Sequence, residues 1–160
     1  MSPRAAWRLE RLGFTETYDY VGSKMDWIGD GLPFEGTLAE QPRLSTLADP
    51  DVPTCGIDET VGAARSRLGQ WDLTLVVAGP QRVVLGLVRA EAFGLEDTRP
   101  IVEVMQEGPS TYRPHVTAEE MSKNLKNRPV PYVVVTTLSG RLLGMAKADA
   151  IHAAARANGG

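Results

Sequence analysis

Two short stretches place a basic and an acidic side chain at the same distance from a glycine. In VVLGLVRAEAF (83–93), Arg89 and Glu91 follow Gly86 by three and five residues. In RLLGMAKADAI (141–151), Lys147 and Asp149 follow Gly144 by the same intervals. A cation where a strand runs into a helix N-terminus can hold a phosphate. An acid in a helix's first turn complements the dipole for about 0.3–1 kcal/mol. A plainer role also stands open to Arg89 and Lys147, that of solvated surface cations.

Other chemistry finds little support. Cys55, in PTCG, is the single cysteine and lies in no thiolate-cradling loop; it reads as a partly buried structural thiol. His115 and His152 have no partners at ligand spacing, so no zinc site is expected, and His152 reads as a surface residue. GxxxxGK[ST], GxGxxG and GxSxG are all absent, which removes the phosphate-cradling and hydrolase-elbow readings.

The elements that must position these residues occur twice. Leu85, Gly86, Ala90 and Ala92 recur at one fixed offset as Leu143, Gly144, Ala148 and Ala150. Before them come DLTLVVAGPQ and PYVVVTTLSG, each a β-branched run ending in a turn. Before those come DETVGAARSRLGQ and TAEEMSKNLKNR, both helical. Asp58 is the expected N-cap of the first helix; Thr117 with Glu120 forms a capping box for the second. PTCGI and STYRPH precede the helices and read as turns. Thr54 and Thr111 sit in them, where turn and cap chemistry is the plain role. The second copy needs one extra residue between Thr111 and Gly144. A repeat of this kind is one supersecondary unit built twice.

Composition sets the limits. A chain of 160 residues with net charge -3 suits one domain with an appendage. Lys and Arg are scattered, so no nucleic-acid partner is expected. No run approaches 18 apolar residues and the start has no signal-peptide core, so no membrane association is expected. A soluble, cytoplasmic protein follows as an expectation. The divisions are an appendage at 1–34, a linker at 35–52, repeats at 53–99 and 100–155, and a flexible tail at 156–160.

The two units, joined by VEVMQEGPSTYRP and closing on GRLLGMAKADAI, resemble a pair of CBS domains, or Bateman module. The resemblance covers about two thirds of the chain. It implies an α+β fold of two βαββα repeats related by a pseudo-twofold axis, with a cleft on either side. It implies no required cofactor, but a cleft ligand such as AMP, ADP, ATP or S-adenosylmethionine. It also implies a homodimer and a protein partner that reads the ligand's effect. In the family, Thr or Ser sits by the phosphate and Asp holds the ribose. Here those positions fall on Arg89 and Lys147, and on Ala92 and Ala150. Glu91 and Asp149 come one residue early and are candidates for a shifted sugar contact. Thr54 and Thr111 fall where backbone approaches the adenine. Val130, Pro131 and Val133 resemble the apolar wall beside the base; core strand is their plain role.

The segment 1–34 is similar to the C-terminal end of a rhodanese-like domain. The match rests on Ser2, Ala5, Ala6, Leu9, Gly13, Phe14, Gly22 and Trp27, with Ser23 in place of a second glycine. It starts past the family's catalytic cysteine loop and implies a non-catalytic helix–strand appendage. The reading is a non-enzymatic regulatory module. A ligand-free dimerisation module and, more remotely, a remnant sulfurtransferase are the alternatives. The appendage helix, near 3–12, is expected to bury Ala6, Trp7 and Leu9 in part, against the repeats or a second subunit.

Overall fold

The computed structural model describes residues 3–17, 24–36 and 40–157. Each β-branched run forms a hairpin with the run after it. In repeat 1, β1 (Thr54–Cys55) lies parallel to β2 (Leu73–Ala78), which pairs antiparallel with β3 (Val83–Arg89). Helix α4 (Val61–Arg65) joins β1 to β2, and a 3-10 turn, Ala90–Gly94, follows β3. In repeat 2, β5 (Thr111–Tyr112), α5 (Ala118–Asn127), β6 (Tyr132–Thr136), β7 (Leu142–Lys147) and α6 (Ala148–Ala157) take the same order. The fold is α+β, two βαββα units.

Gly86 and Gly144 occupy equivalent places. Val76 pairs with Gly86 and Val77 with Val84, so Leu85 is an extra residue in the ladder. Val135 pairs with Gly144 and Thr136 with Leu142, so Leu143 is extra in the same way. A bulge is a local feature of one register, and the two registers share it. The offset between the copies is not constant along the chain. From Thr54 to Thr111 it is one shorter than from Gly86 to Gly144, and from Leu73 to Tyr132 it is one longer. Repeat 2 thus gains two residues between its first two strands and loses one in the hairpin turn, which gives the single net insertion.

The repeats exchange their lead-in segments. Asp49 forms a bridge with Met145 of repeat 2, while β4 (Gln106–Glu107) pairs with Gly86 and Leu87 of repeat 1. Leu44, in helix α3 (Leu44–Leu47), is fully buried in the core of repeat 2; its counterpart Ile101, in the 3-10 turn Ile101–Glu103, is fully buried in that of repeat 1. Their amides donate to equivalent carbonyls, Leu44 to Val116 at 2.9 Å and Ile101 to Glu59 at 2.9 Å. On the axis, Val83 bridges to its own counterpart Arg141. The amides of Val84 and Leu142 donate there to Gly140 and Arg82, each at 3.0 Å. An element that meets its own copy marks a twofold relation.

That exchange explains the repeated glycine. A Cβ on Gly86 would lie 2.9 Å from the carbonyl oxygen of Gln106. A Cβ on Gly144 would lie 2.7 Å from the carbonyl carbon of Asp49, and closer still to its oxygen. Gly144 also has φ 151°, which an L side chain resists.

Several expectations are corrected. PTCGI and STYRPH hold two-residue parallel strands, too short to show alternation. The N-cap of α4 is Thr60, whose hydroxyl accepts from the Ala63 amide at 3.4 Å, and not Asp58. Thr117 caps α5, accepting from the Glu120 amide at 3.2 Å. The 35–52 segment is no passive linker, because α3 fills the second core; a four-residue helix shows no period. Repeat 1 closes on a 3-10 turn where a helix was expected.

In the appendage, α1 (Pro3–Arg11) forms as expected. Ala6 and Leu9 are half-buried, and Trp7 is 57% exposed in the single chain, so the repeats do not cover most of it. The expected strand fails at 15–17, and its remainder lies outside the described residues. The next helix, α2 (Lys24–Gly29), docks on repeat 2. Ile28 is buried, and Asp30 forms an ion pair with Arg141 at 2.8 Å. The helix axis comes so near Pro114 that a Cβ on Gly29 would meet its Cγ at 3.3 Å.

These contacts rank three substitutions. Gly144→Ala adds backbone strain to a backbone clash and is expected to cost about 3 kcal/mol or more. Gly86→Ala, with no positive φ, is expected to cost less. Leu44→Ala opens a cavity in the other repeat and is expected to cost about 2–5 kcal/mol. Urea unfolding of each variant measures the order.

Candidate functional site

The exchange leaves a cleft on each side of the axis. The larger, about 430 Å³, is lined by Asp51–Thr54 and by Arg67–Trp71. The smaller, about 300 Å³, is lined by Leu73, Leu87 and Arg89 of repeat 1, by Gln106–Ser110, and by Tyr112, Arg128, Val130–Tyr132 and Val134 of repeat 2. Both volumes lie toward the low end for small-molecule sites.

The smaller cleft pairs an apolar wall with a cationic rim. Leu73, Leu87 and Val134 are buried at its base; Val130 and Pro131 stand exposed at its edge. Arg89 is held by a bond from its Nε to Gln106 Oε1 at 2.9 Å, which orients its guanidinium. Arg128 stands across from it, past the end of α5. Partial burial raises the Tyr132 hydroxyl above its ordinary pKa, with the Asp72 charge and hydrogen bond adding to this.

The larger cleft is more polar. Trp71 is buried in its wall, and the Lys147 ammonium sits 5.3 Å from the centre of that ring, a cation–π arrangement. Arg67, also in the cleft's lining, is ion-paired with Glu59. The Arg67 bond, then the Gly56 amide bond, holds the Glu59 carboxyl below its usual range. Trp71 and Tyr132 meet between the clefts, ring centres 5.2 Å apart.

The candidate residues divide accordingly. Arg89, Val130 and Pro131 come together in the smaller cleft. Thr54 lines the larger, and Lys147 borders it through Trp71. Lys147 pairs with Tyr132 next to the Val130–Pro131 stretch, but it does not line the smaller cleft, where that stretch is joined by Arg89; its ammonium lies over Trp71 instead. Thr111 pairs with Val134 in β5 and lines neither cleft. Glu91 and Asp149 are exposed, in the first turns of their helical segments, and line neither cleft. Val133 is buried core strand. The sequence reading missed Arg128, Gln106 and Trp71. Arg128 had no signal beyond being a basic residue at a helix end.

The remaining reactive groups serve the fold. Cys55 is buried, and burial first, with the Glu59 charge second, pushes its thiol up to about 11. His152 is half-buried, its Nδ1 2.8 Å from Ser122 Oγ, which ties α6 to α5. Among the described residues no cluster of three metal-ligating side chains occurs, and no helix is long and apolar enough to cross a membrane.

The architecture is that of known CBS-domain pairs. The cystathionine beta-synthase pair domain of a Shewanella oneidensis MR-1 protein is 18% identical, covers 84% of this chain and 92% of its own, and superposes with TM-score 0.63. A CBS domain pair/ACT domain protein from Thermotoga maritima is 15% identical over 74% of this chain and 99% of that one, with TM-score 0.62. The cytosolic domain of the Mg2+ channel MgtE, solved in complex with ATP, is 16% identical over 72% of this chain and 50% of that one, with TM-score 0.61. No protein-family model matches the sequence, and no curated protein does. The chain folds as a CBS pair.

The thiol supplies a test. At pH 8 a pKa near 11 leaves on the order of a thousandth of Cys55 as thiolate. Disulfide-reagent labelling is expected to run at least about 100-fold slower in native protein than in urea. From pH 9.0 toward about 11 the unfolded chain loses a proton that the folded chain keeps. Stability is therefore expected to fall as pH rises through that window.

Proposed function

We propose that the chain is a non-enzymatic regulatory module that works as a homodimer. Its ligand is adenosine-containing (AMP, ADP, ATP or S-adenosylmethionine) and binds in the smaller cleft. The observation that carries this reading is the cleft's lining: apolar surface at the base, with Arg89 and Arg128 both among the lining residues, beside Glu107. An aromatic base fits the first, a phosphate or carboxylate the second. The ATP complex of the MgtE domain, which shares the fold, supports the same ligand class. Binding acts by population shift: a ligand touching both repeats favours one arrangement by no more than its differential affinity. A protein partner outside the chain reads that arrangement.

Lys147 is engaged with Trp71 and takes a secondary part, as does Thr54 in the larger cleft. Glu91, Thr111 and Asp149 reach a ligand only if the repeats shift. The alanines at 92 and 150 favour the second reading, a pair whose clefts hold no nucleotide and serve assembly alone. A sulfurtransferase reading has no thiolate to use. The segment 1–34, with its rhodanese-like pattern, serves as a docking element.

Thermal shift tests this with ATP, AMP, S-adenosylmethionine and adenosine. A ligand at 100 times its Kd stabilises the native state by about 2.7 kcal/mol, a rise of roughly 5–10 °C for this size. Arg128→Ala and Arg89→Ala are expected to remove most of the shift for phosphate-bearing ligands and to spare adenosine. Lys147→Ala is expected to change little. No shift with any compound at millimolar concentration would leave the assembly reading.

A further inference from the structure

The helical layers of the two repeats are unequal. Repeat 2 covers its sheet with α5 and α6, ten residues each. Repeat 1 has five residues of α4 and a five-residue 3-10 turn. The chain between that turn and Ile101 drapes over α4: Arg65 Nη2 donates to the Leu95 carbonyl at 2.9 Å, and Asp97 crowds Gly62. This covering leaves apolar surface open, with Leu95 40% and Val102 52% exposed.

A second open apolar surface lies on α1 and the turn after it, where Trp7, Leu12 and Phe14 are 57%, 69% and 58% exposed. Five of the seven large apolar residues exposed among the described residues fall in these two patches. Their charges are opposite. Residues 3–14 carry three arginines and one glutamate, a balance of +2. Residues 90–104 carry four acids and one arginine, a balance of −3. Glu91, Glu96 and Glu103 are exposed beside Leu95 and Val102. The nine-residue α1 also matches the ten-residue α6 that repeat 1 lacks.

We propose that α1 of one copy docks on the helical face of repeat 1 in a second copy. There it supplies the helix that repeat 1 does not have, with Trp7 and Leu12 against Leu95 and Val102 and with Arg8 and Arg11 facing the glutamates. Apolar anchors at the centre give the affinity, and the charges fix the orientation. The inference rests on the homodimer reading and names its surface.

Mixed full-length chains test it, one carrying Leu12→Cys and the other Val102→Cys. Both positions are exposed, so neither change opens the core, and buried Cys55 stays silent. After mild oxidation, a disulfide joining one chain of each kind is expected to dominate. Arg8→Glu with Arg11→Glu is expected to cut its yield roughly tenfold, and Glu96→Arg with Glu103→Arg on the other chain to restore it. Sedimentation gives the oligomeric state in parallel. A dimer that forms no mixed disulfide, or one that cross-links mainly between two chains that both carry Leu12→Cys, overturns this surface and leaves the homodimer standing. A disulfide closing within a single chain given both substitutions overturns docking in trans. A monomer overturns both readings.

Discussion

The backbone of Asp49 crosses Gly144 so closely that no side chain fits between them, and Gln106 crosses Gly86 in the same way. This pair of crossings governs the rest of the molecule. Each carries the lead-in of one repeat onto the last strand of the other. Each delivers an apolar plug, Leu44 or Ile101, into a core that the receiving repeat cannot fill alone. Neither repeat is therefore complete by itself. A bulge fixes the register beside each glycine, so the crossing strand meets the same backbone groups every time. Sequence that looks like a connection is in fact the interlock.

The clefts follow from the crossing. Because lead-ins and strand ends face the neighbouring repeat, the smaller cleft takes one wall from each. A ligand there would have residues of both repeats within its reach. A central core shared by both repeats, with Trp71, Leu75, Leu87, Val134 and Met145, lies beneath both clefts. Trp71 and Tyr132 join the two sites directly. Symmetry of backbone does not give symmetry of chemistry: equivalent positions hold Arg89 and Lys147, but the first is aimed by Gln106 and the second is taken by an indole.

The repeat, its strands and its glycines were legible because they repeat as residue identities in long elements with a clear pattern. What escaped lay in elements too short for a period. Thr54–Cys55 and Thr111–Tyr112 are strands of two residues, and Leu44 sits in a helix of four. No alternation can show in such lengths, and their burial comes wholly from tertiary pairing. The cap at Thr60 escaped because Asp58, an equally good capping type, stands two residues earlier. The site was half legible. Arg89, Val130 and Pro131, which line one cleft, were named from the sequence as candidates, but their grouping depends on which repeat faces which. That is a property of the crossing, which local sequence does not encode. Arg128 and Gln106 enter the cleft only through it.

The inequality of the repeats has a physical consequence of its own. Repeat 2 holds α5 and α6 together through apolar packing and the Ser122–His152 bond, and it anchors α2 through Asp30 and Arg141. It is the better-covered half. Repeat 1 holds its helical face with a short helix, a draped loop and surface ion pairs such as Arg65–Asp97, which are worth little in water. Stability is not uniform in such a molecule, and the half with fewer buried contacts opens first. The smaller cleft spans both halves, so a ligand there ties the looser repeat to the firmer one. Its effect would fall on repeat 1, whose helical layer is the shorter. A signal leaving the molecule would therefore pass most readily through the acidic, partly apolar face of repeat 1, next to the strand that carries Arg89.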